Sequence, residues 1–182
     1  MKIVLLNGSP RKGNIHTALE AFKEGLGEQI GLENVQVKTI QANDVSVSCC
    51  IACDSCGKEG DCVFDDDTNS VISDIIEADV LIFATPVYWW GMSAQLKLIV
   101  DKFYSRQTSL RKKAKKIGII ITGQLPAHNI QYRLIGQQIK CISDFLKWQV
   151  VFEKAYSAYD PGDLADNRKA ISELKALAKT LI

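Results

Sequence analysis

The sequence has almost no net charge: 22 Lys and Arg stand against 21 Asp and Glu, a formal +1 over 182 residues. That balance excludes a general electrostatic binder of nucleic acid or of an anionic membrane, which would carry a basic excess, and equally a strongly acidic carrier. Long apolar runs are also missing. The N-terminus offers only Ile3 to Leu6 before it turns polar, too short for the apolar core of a signal peptide. Nothing approaches the ~18 apolar residues of a membrane span. The expectation is a cytoplasmic chain with neither nucleic acid nor membrane as partner. Disulfides are not required either: a chain of this length buries roughly 70% of its unfolded surface on folding. In a reducing compartment, clustered cysteines bind metal or do redox chemistry more often than they form structural bridges.

What is present reads as one ordinary domain over residues 1–182, with 47% hydrophobic and 24% charged residues. Short apolar runs alternate with segments of helical period, the mark of an α/β fold with a parallel sheet. Lys2–Asn7, Val35–Ile40, Asp79–Thr85, Lys116–Thr122 and Trp148–Tyr156 are expected strands; the third and fourth are almost continuously apolar, as strands covered on both faces should be. Apolar stripes at helical spacing lie between them: Leu19/Phe22/Leu26/Ile30, Val71/Ile72/Ile75/Ile76, Leu96/Val100/Phe103 and Ile135/Ile139/Ile142/Leu146. A last helix is expected from Asp163 to the end, after the breaker Asp160-Pro-Gly-Asp163. This alternation suggests a doubly wound, three-layer, five-stranded sheet of order 2-1-3-4-5, although periodicity does not itself fix the order. Arg111, Lys112, Lys113, Lys115 and Lys116 are expected to form a solvated helix end at the amino edge of the sheet.

Two loops carry chemistry. The first strand runs into Asn7-Gly-Ser-Pro-Arg-Lys-Gly-Asn-Ile-His-Thr17 and then directly into a helix. Unpaired N–H groups at a helix start, with the dipole behind them, favour an anion; Ser9, Asn14 and Thr17 add donors and Arg11 a guanidinium. The loop lacks the Lys-Ser/Thr of a Walker A motif and the third glycine of a dinucleotide fingerprint. A mononucleotide phosphate fits better. The third strand ends in Ala84-Thr-Pro-Val-Tyr-Trp-Trp-Gly-Met-Ser93. In a 2-1-3-4-5 sheet, ligands bind where the order reverses, between the ends of strands 1 and 3. Tyr88, Trp89 and Trp90 cannot all point into a core, so at least one should present a flat face near the phosphate loop or pack against a neighbouring subunit.

Together, Gly8-Ser-Pro-Arg-Lys-Gly-Asn14 and Thr85-Pro-Val-Tyr-Trp-Trp-Gly91, followed by Lys97 and Asp101-Lys-Phe103, resemble the NADPH-dependent FMN reductase branch of the flavodoxin-like superfamily. The resemblance implies that Ser9, Arg11, Gly13, Asn14 and either His16 or Thr17 hold the FMN phosphate, because family members commonly read Gly-Asn-Thr where this chain has Gly13-Asn-Ile-His-Thr17. It implies that Pro86, Val87, Tyr88, Trp89 and Gly91 wrap the isoalloxazine, with Thr122 and Gly123 flanking it. His128, in the same loop, is expected to be solvated. It further implies NAD(P)H or a redox carrier protein as electron donor, a small-molecule acceptor, and a homodimer or homotetramer. The cofactor carries the chemistry, so no catalytic acid, base or nucleophile is assigned.

Five of the six cysteines fall between Cys49 and Cys62, in a cysteine-rich loop at 44–66 within a segment without periodic signal from about Gln41 to Asp66. From Cys50 the spacing is C-x2-C-x2-C-x5-C. Successive gaps of two let one turning loop set three thiolates on a common face, as cubane iron–sulfur clusters need, whereas structural zinc more often uses two separated pairs. The pattern is similar to the cysteine motif of the iron–sulfur flavoproteins in the same family. It makes Cys50, Cys53, Cys56 and Cys62 candidate ligands of a [4Fe–4S] cluster, with zinc or an empty loop as alternatives. Cys49 is surplus and is assigned no ligand role, and Cys141 is expected to pack in the fourth helix as a small apolar residue. A cluster-free flavin, quinone or azo reductase and a non-enzymatic flavodoxin-like carrier are the rival functions.

Overall fold

A computed structural model describes residues 1–182. It has one five-stranded parallel sheet of order β2-β1-β3-β4-β5. The strands are β1 (Lys2–Asn7), β2 (Gln36–Gln41), β3 (Val80–Pro86), β4 (Lys116–Gly123) and β5 (Gln149–Ser157). All five lie within one residue of their expected ends. The order is the expected one, and the sheet is covered on both faces.

The two-residue period of a strand divides the core. Val4, Leu6, Leu81, Phe83, Ile117, Ile119 and Ile121 face one cluster, which α2 (Thr68–Glu77), α3 (Ala94–Asp101) and α5 (Ile130–Leu146) complete. Ile3, Leu5, Val80, Ile82, Ala84 and Ile120 face the other, closed by α1 (Asn14–Gln29) and α7 (Arg168–Ala176). Every apolar stripe expected to be helical supplies buried side chains. No helix is long and apolar enough to cross a membrane.

Some expectations need correction. The third helix is interrupted: α3 passes through a 3-10 turn, Lys102–Tyr104, into a separate α4, Gln107–Lys112. The C-terminal helix is likewise divided into α6 (Asp163–Asp166), α7 and a 3-10 turn, Leu177–Leu181. Arg111 and Lys112 are exposed in the last turn of α4, as expected, but the rest of the basic run is not a solvated helix end. Lys115 is buried, and its Nζ donates to Ile76 O at 2.7 Å and Ala78 O at 2.6 Å; Lys113 donates to Glu77 O, and Lys116, in β4, to Leu181 O. These ammonium groups satisfy carbonyls that the last turn of α2 and the C-terminal turn leave free. Burial pushes the Lys115 ammonium down to about 8. Cys141 is exposed on the outer face of α5, because Ile135, Ile139 and Leu146 already occupy the core-facing side.

Candidate functional site

Gly8 couples the two ligand loops. Its N–H donates to Ala84 O at 2.8 Å, and a Cβ built on it would lie 2.8 Å from Ser93 Oγ and 2.9 Å from Leu96 Cβ. Only glycine allows the loop after β1 to press this closely on the start of α3. On the β3 side, Thr85 Oγ1 accepts from Ser93 N at 3.0 Å, and Ser93 Oγ caps α3 by accepting from Leu96 N. Val87 N donates to Thr122 O at 2.8 Å and ties in the end of β4; Ala158 N, bonded to Gly123 O, ties in the end of β5.

The loop between β1 and α1 is itself ordered: Ser9 N donates to Asn7 Oδ1 and Ser9 Oγ to Arg11 O, both at 2.9 Å. Gly13 is the N-cap of α1, and no side chain caps that end. The first-turn N–H groups of a 16-residue helix are therefore left for an anion. Asn14 differs from expectation in how it can serve. Its Nδ2 donates to Asp160 O at 2.8 Å and its Oδ1 accepts from Leu164 N at 3.1 Å, so its amide fastens the segment after β5, and its backbone N–H and the second Nδ2 hydrogen are what it can offer a phosphate.

Ser9, Arg11, Asn14, Pro86, Val87, Tyr88, Thr122 and Gly123 line one cleft of about 190 Å³. Trp89 faces an adjoining cleft of about 430 Å³ with Trp90, Leu125 and Gln131; Val87 and Gln124 belong to both. Together the clefts fall within the roughly 300–1,000 Å³ of small-molecule sites. Gly13, His16, Thr17 and Gly91 line neither. Gly13 acts as the helix cap. His16 and Thr17 lie in the first turn of α1, both half-buried. Gly91 exchanges two 2.9 Å backbone bonds with Tyr88. Residue-type reasoning missed Ile15, Gln124, Gln131, Ala158 and Tyr159 as lining residues. Ala158 and Tyr159 directly follow β5, so the rule that strand ends frame the site was the available indication.

The Tyr88–Gly91 pairing makes Trp89 and Trp90 the two-residue tip of a hairpin, with φ of 45° and 62°. Tips of this kind normally take Asn-Gly, because both residues are left-handed; a bulky residue there costs roughly 1–2 kcal/mol. The chain carries that strain twice, and Trp89 is 91% exposed. Neither indole is driven outward by packing. Both are held at the mouth of the cleft.

The cysteine segment leaves β2 at the carboxyl edge but folds back along the helices. Asp66 accepts from Ser48 N at 2.8 Å and Thr68 N at 2.9 Å, and Asp67 accepts from Ser46 N at 2.7 Å, which clasps the base of the loop. Burial works to raise the Asp66 carboxyl, but the bonds from Thr68 and Ser48 outweigh it and hold the group at about 2. Ala52, Asp54, Gly57 and Lys58 are left-handed, with φ between 54° and 68°, and they curl the chain on itself. Cys50, Cys53, Cys56 and Cys62 consequently line a single cavity of about 30 Å³, and Cys49 does not. The Cys53 thiol is drawn down from its ordinary value by hydrogen bonds from Ser55. The four thiols do not form a group close enough to hold a metal ion as the loop stands.

Lys102 closes this cavity. It is only 3% exposed; its Nζ donates to Cys62 Sγ at 3.4 Å and lies 4.3 Å from the centre of the Phe64 ring. No carboxylate pairs with it, and a buried unpaired charge costs several kcal/mol. An ammonium bonded to one of the four thiols that line the cavity fits a site for a group of net negative charge, as four thiolates around a metal centre would be. The cysteine cavity shares no residue with the two clefts. It sits by the end of α3, about 13 Å of helix rise from Ser93 at the start.

Comparison with known proteins agrees with this geometry. The chain is 32% identical to an iron-sulfur flavoprotein of Methanocaldococcus jannaschii over 128 residues, 68% of this chain and 62% of that one. It is 34% identical over 116 residues to an iron-sulfur flavoprotein of Archaeoglobus fulgidus, of which it spans 51%. The chain thus spans between half and two thirds of the length of these curated relatives. YwqN of Bacillus subtilis, named as an NAD(P)H-dependent FMN-containing oxidoreductase, is 28% identical over 192 residues, 98% of this chain and 97% of that one. Among solved structures, an NAD(P)H:quinone oxidoreductase from Methanothermobacter marburgensis shares the fold with a TM-score of 0.76 at 17% identity, covering 100% of this chain and 99% of that one. The family model for NADPH-dependent FMN reductases matches residues 1–158, from the first strand through the segment that closes the cleft after β5. The chain therefore belongs to the NADPH-dependent FMN reductase family.

Proposed function

We propose that this protein passes electrons from NAD(P)H, or from a reduced carrier protein, through FMN to a small-molecule acceptor, and that Cys50, Cys53, Cys56 and Cys62 hold a [4Fe–4S] cluster. The observation that carries the cluster is the shared cavity: the four cysteines with ligand spacing, and not Cys49, line one cavity walled by the buried Lys102 ammonium. FMN supplies hydride and electron transfer when bound, and the cluster supplies single-electron transfer. The protein's own part is binding and exclusion. Backbone N–H groups at the start of α1, Ser9 and Arg11 take the phosphate; Pro86, Val87 and Tyr88 form one wall of the cleft, and Thr122, Gly123 and Gln124 another. The Trp89–Trp90 tip borders the adjoining cleft, where it restricts water and offers indole surface to a planar reactant.

A second reading, a cluster-free NAD(P)H-dependent reductase, is favoured by the separation of the four thiols and by the relative that matches along nearly its whole length without iron–sulfur in its name. Anaerobic reconstitution with iron and sulfide, followed by absorption spectroscopy and iron, zinc and flavin analysis, decides between them. Four irons per chain with broad visible absorption beneath the flavin bands, lost in Cys50→Ser or Cys56→Ser while FMN remains, is the expected result. FMN without iron overturns the cluster. Failure to bind FMN at all overturns the whole proposal.

A further inference from the structure

We propose that Lys102 sets the reduction potential of the group held by Cys50, Cys53, Cys56 and Cys62, its ammonium favouring the form that has taken up an electron. The inference rests on the cluster reading above and adds the residue that governs how readily that site accepts charge. Two lysines of the chain are buried, each 3% exposed, and their surroundings differ. Lys115 is answered by two backbone carbonyls, Ile76 O and Ala78 O. Lys102 bonds instead to Cys62 Sγ at 3.4 Å and lies against the face of Phe64. The two carboxylates that line the cavity with it are engaged elsewhere: Asp54 Oδ1 accepts from Tyr104 OH at 2.7 Å, and Asp101 Oδ1 pairs with Lys97 at 2.5 Å. Asp61, next to Cys62, reaches Arg106 at 3.5 Å. The acids nearest in sequence and space thus leave the Lys102 charge uncompensated.

The ammonium is fixed by the core and not by the cysteine loop. Lys102 opens the 3-10 turn after α3, and its carbonyl accepts from Ser105 N at 3.1 Å and Ser105 Oγ at 2.8 Å. The next residue, Phe103, packs between Phe83 and Trp148, with ring centroids 6.3 Å and 5.9 Å away. The charge is therefore in place before the cavity is loaded, and it needs no rearrangement to act. Four thiolates give the loaded site a net negative charge, and each electron that enters adds one more while no bond is made or broken and no proton moves. An ammonium and its N–H···S bond stabilise the electron-rich form more than the electron-poor one, which raises the potential; net charge and hydrogen bonds to the sulfurs are among the factors that set the potentials of thiolate-bound clusters. Burial keeps that interaction from being screened as it would be at the surface.

The test is a redox titration of the full chain reconstituted anaerobically with iron and sulfide, using dithionite as reductant. The cluster is followed by electron paramagnetic resonance and FMN by absorbance in the same samples. Lys102→Met and Lys102→Gln should each lower the ratio of reduced to oxidised cluster at a fixed potential by about 10-fold to 100-fold, the span of one charge-assisted hydrogen bond; at about 59 mV per tenfold this is roughly 60–120 mV. Lys169→Met, the same loss of charge on the exposed side of α7, should change the ratio by less than about 2-fold. An unchanged ratio in Lys102→Met, or a wild-type ratio kept by the uncharged donor of Lys102→Gln, overturns the inference. Loss of iron from both variants overturns it too, because Lys102 would then build the site instead of tuning it. Wild type that takes up no iron overturns the cluster reading and this inference together, whereas iron bound with an unmoved potential overturns this inference alone.

Discussion

Replacing Asp66 with Ala should loosen the cysteine loop and weaken the fold in a pH-dependent way. The Asp66 carboxylate receives N–H donors from Ser48 and Thr68 and stands at about 2 against an ordinary 3.8. Converted at 1.36 kcal/mol per pH unit, that displacement is about 2.4 kcal/mol; the group is half-buried, and screening reduces it to about 1–1.5 kcal/mol. A carboxyl held below its unfolded value adds stability that is complete above about pH 4 and is lost as the pH falls towards 2. About half should be gone at pH 3. Urea denaturation of wild type and Asp66→Ala at pH 7 and pH 3 measures it: a difference of about 1–1.5 kcal/mol at pH 7, a shift of roughly 2–6 °C in Tm, should shrink to about half at pH 3. Limited proteolysis should cut the variant faster between Ser46 and Asp66 at pH 7. An unchanged difference at the two pH values, or equal cleavage rates, would refute the clasp.

Arg11→Ala should weaken FMN binding by about 10-fold to 150-fold, the worth of a charge-assisted hydrogen bond of roughly 1.5–3 kcal/mol, as read by fluorescence titration; unchanged affinity would remove Arg11 from the phosphate site. Gly8→Ala drives a methyl against Ser93 and Leu96 and should cost roughly 1–3 kcal/mol of stability together with flavin retention; a variant that keeps both would mean that the loops are not fixed by this contact. Trp90→Gly removes a left-handed tryptophan and should raise stability by about 1 kcal/mol while lowering kcat/KM for planar acceptors. A fall in Tm would show that the indole packs more than it strains.

The fold was legible because its strands are apolar on both sides and its helices on one. Ile117, Ile119 and Ile121 alternate with Ile120 between two cores, and such a run fits only a covered parallel strand. The ligand loops were legible for a related reason: glycines and polar donors gather where strands end. What stayed hidden depended on tertiary contact. Nothing local marks Asn14 as a tie to the segment after β5, or Lys115 as the group that satisfies the end of α2. The cysteine spacing showed which thiols gather, but not where, because the direction of the loop follows from the pairing of Asp66 and Asp67 with residues about twenty positions earlier.

The contact at Gly8 also bears on time. The phosphate loop and the ring loop are joined through the Gly8–Ala84 bond and packed in direct contact at Gly8, so the ordering of both is expected to be completed when the sheet forms, before any ligand arrives. A nucleotide entering such a preset mould does not pay for arranging the walls, and its affinity is expressed chiefly as slow departure. The residence time of the flavin should then exceed many catalytic cycles, which makes it a resident group in this protein and not a substrate exchanged at each turnover.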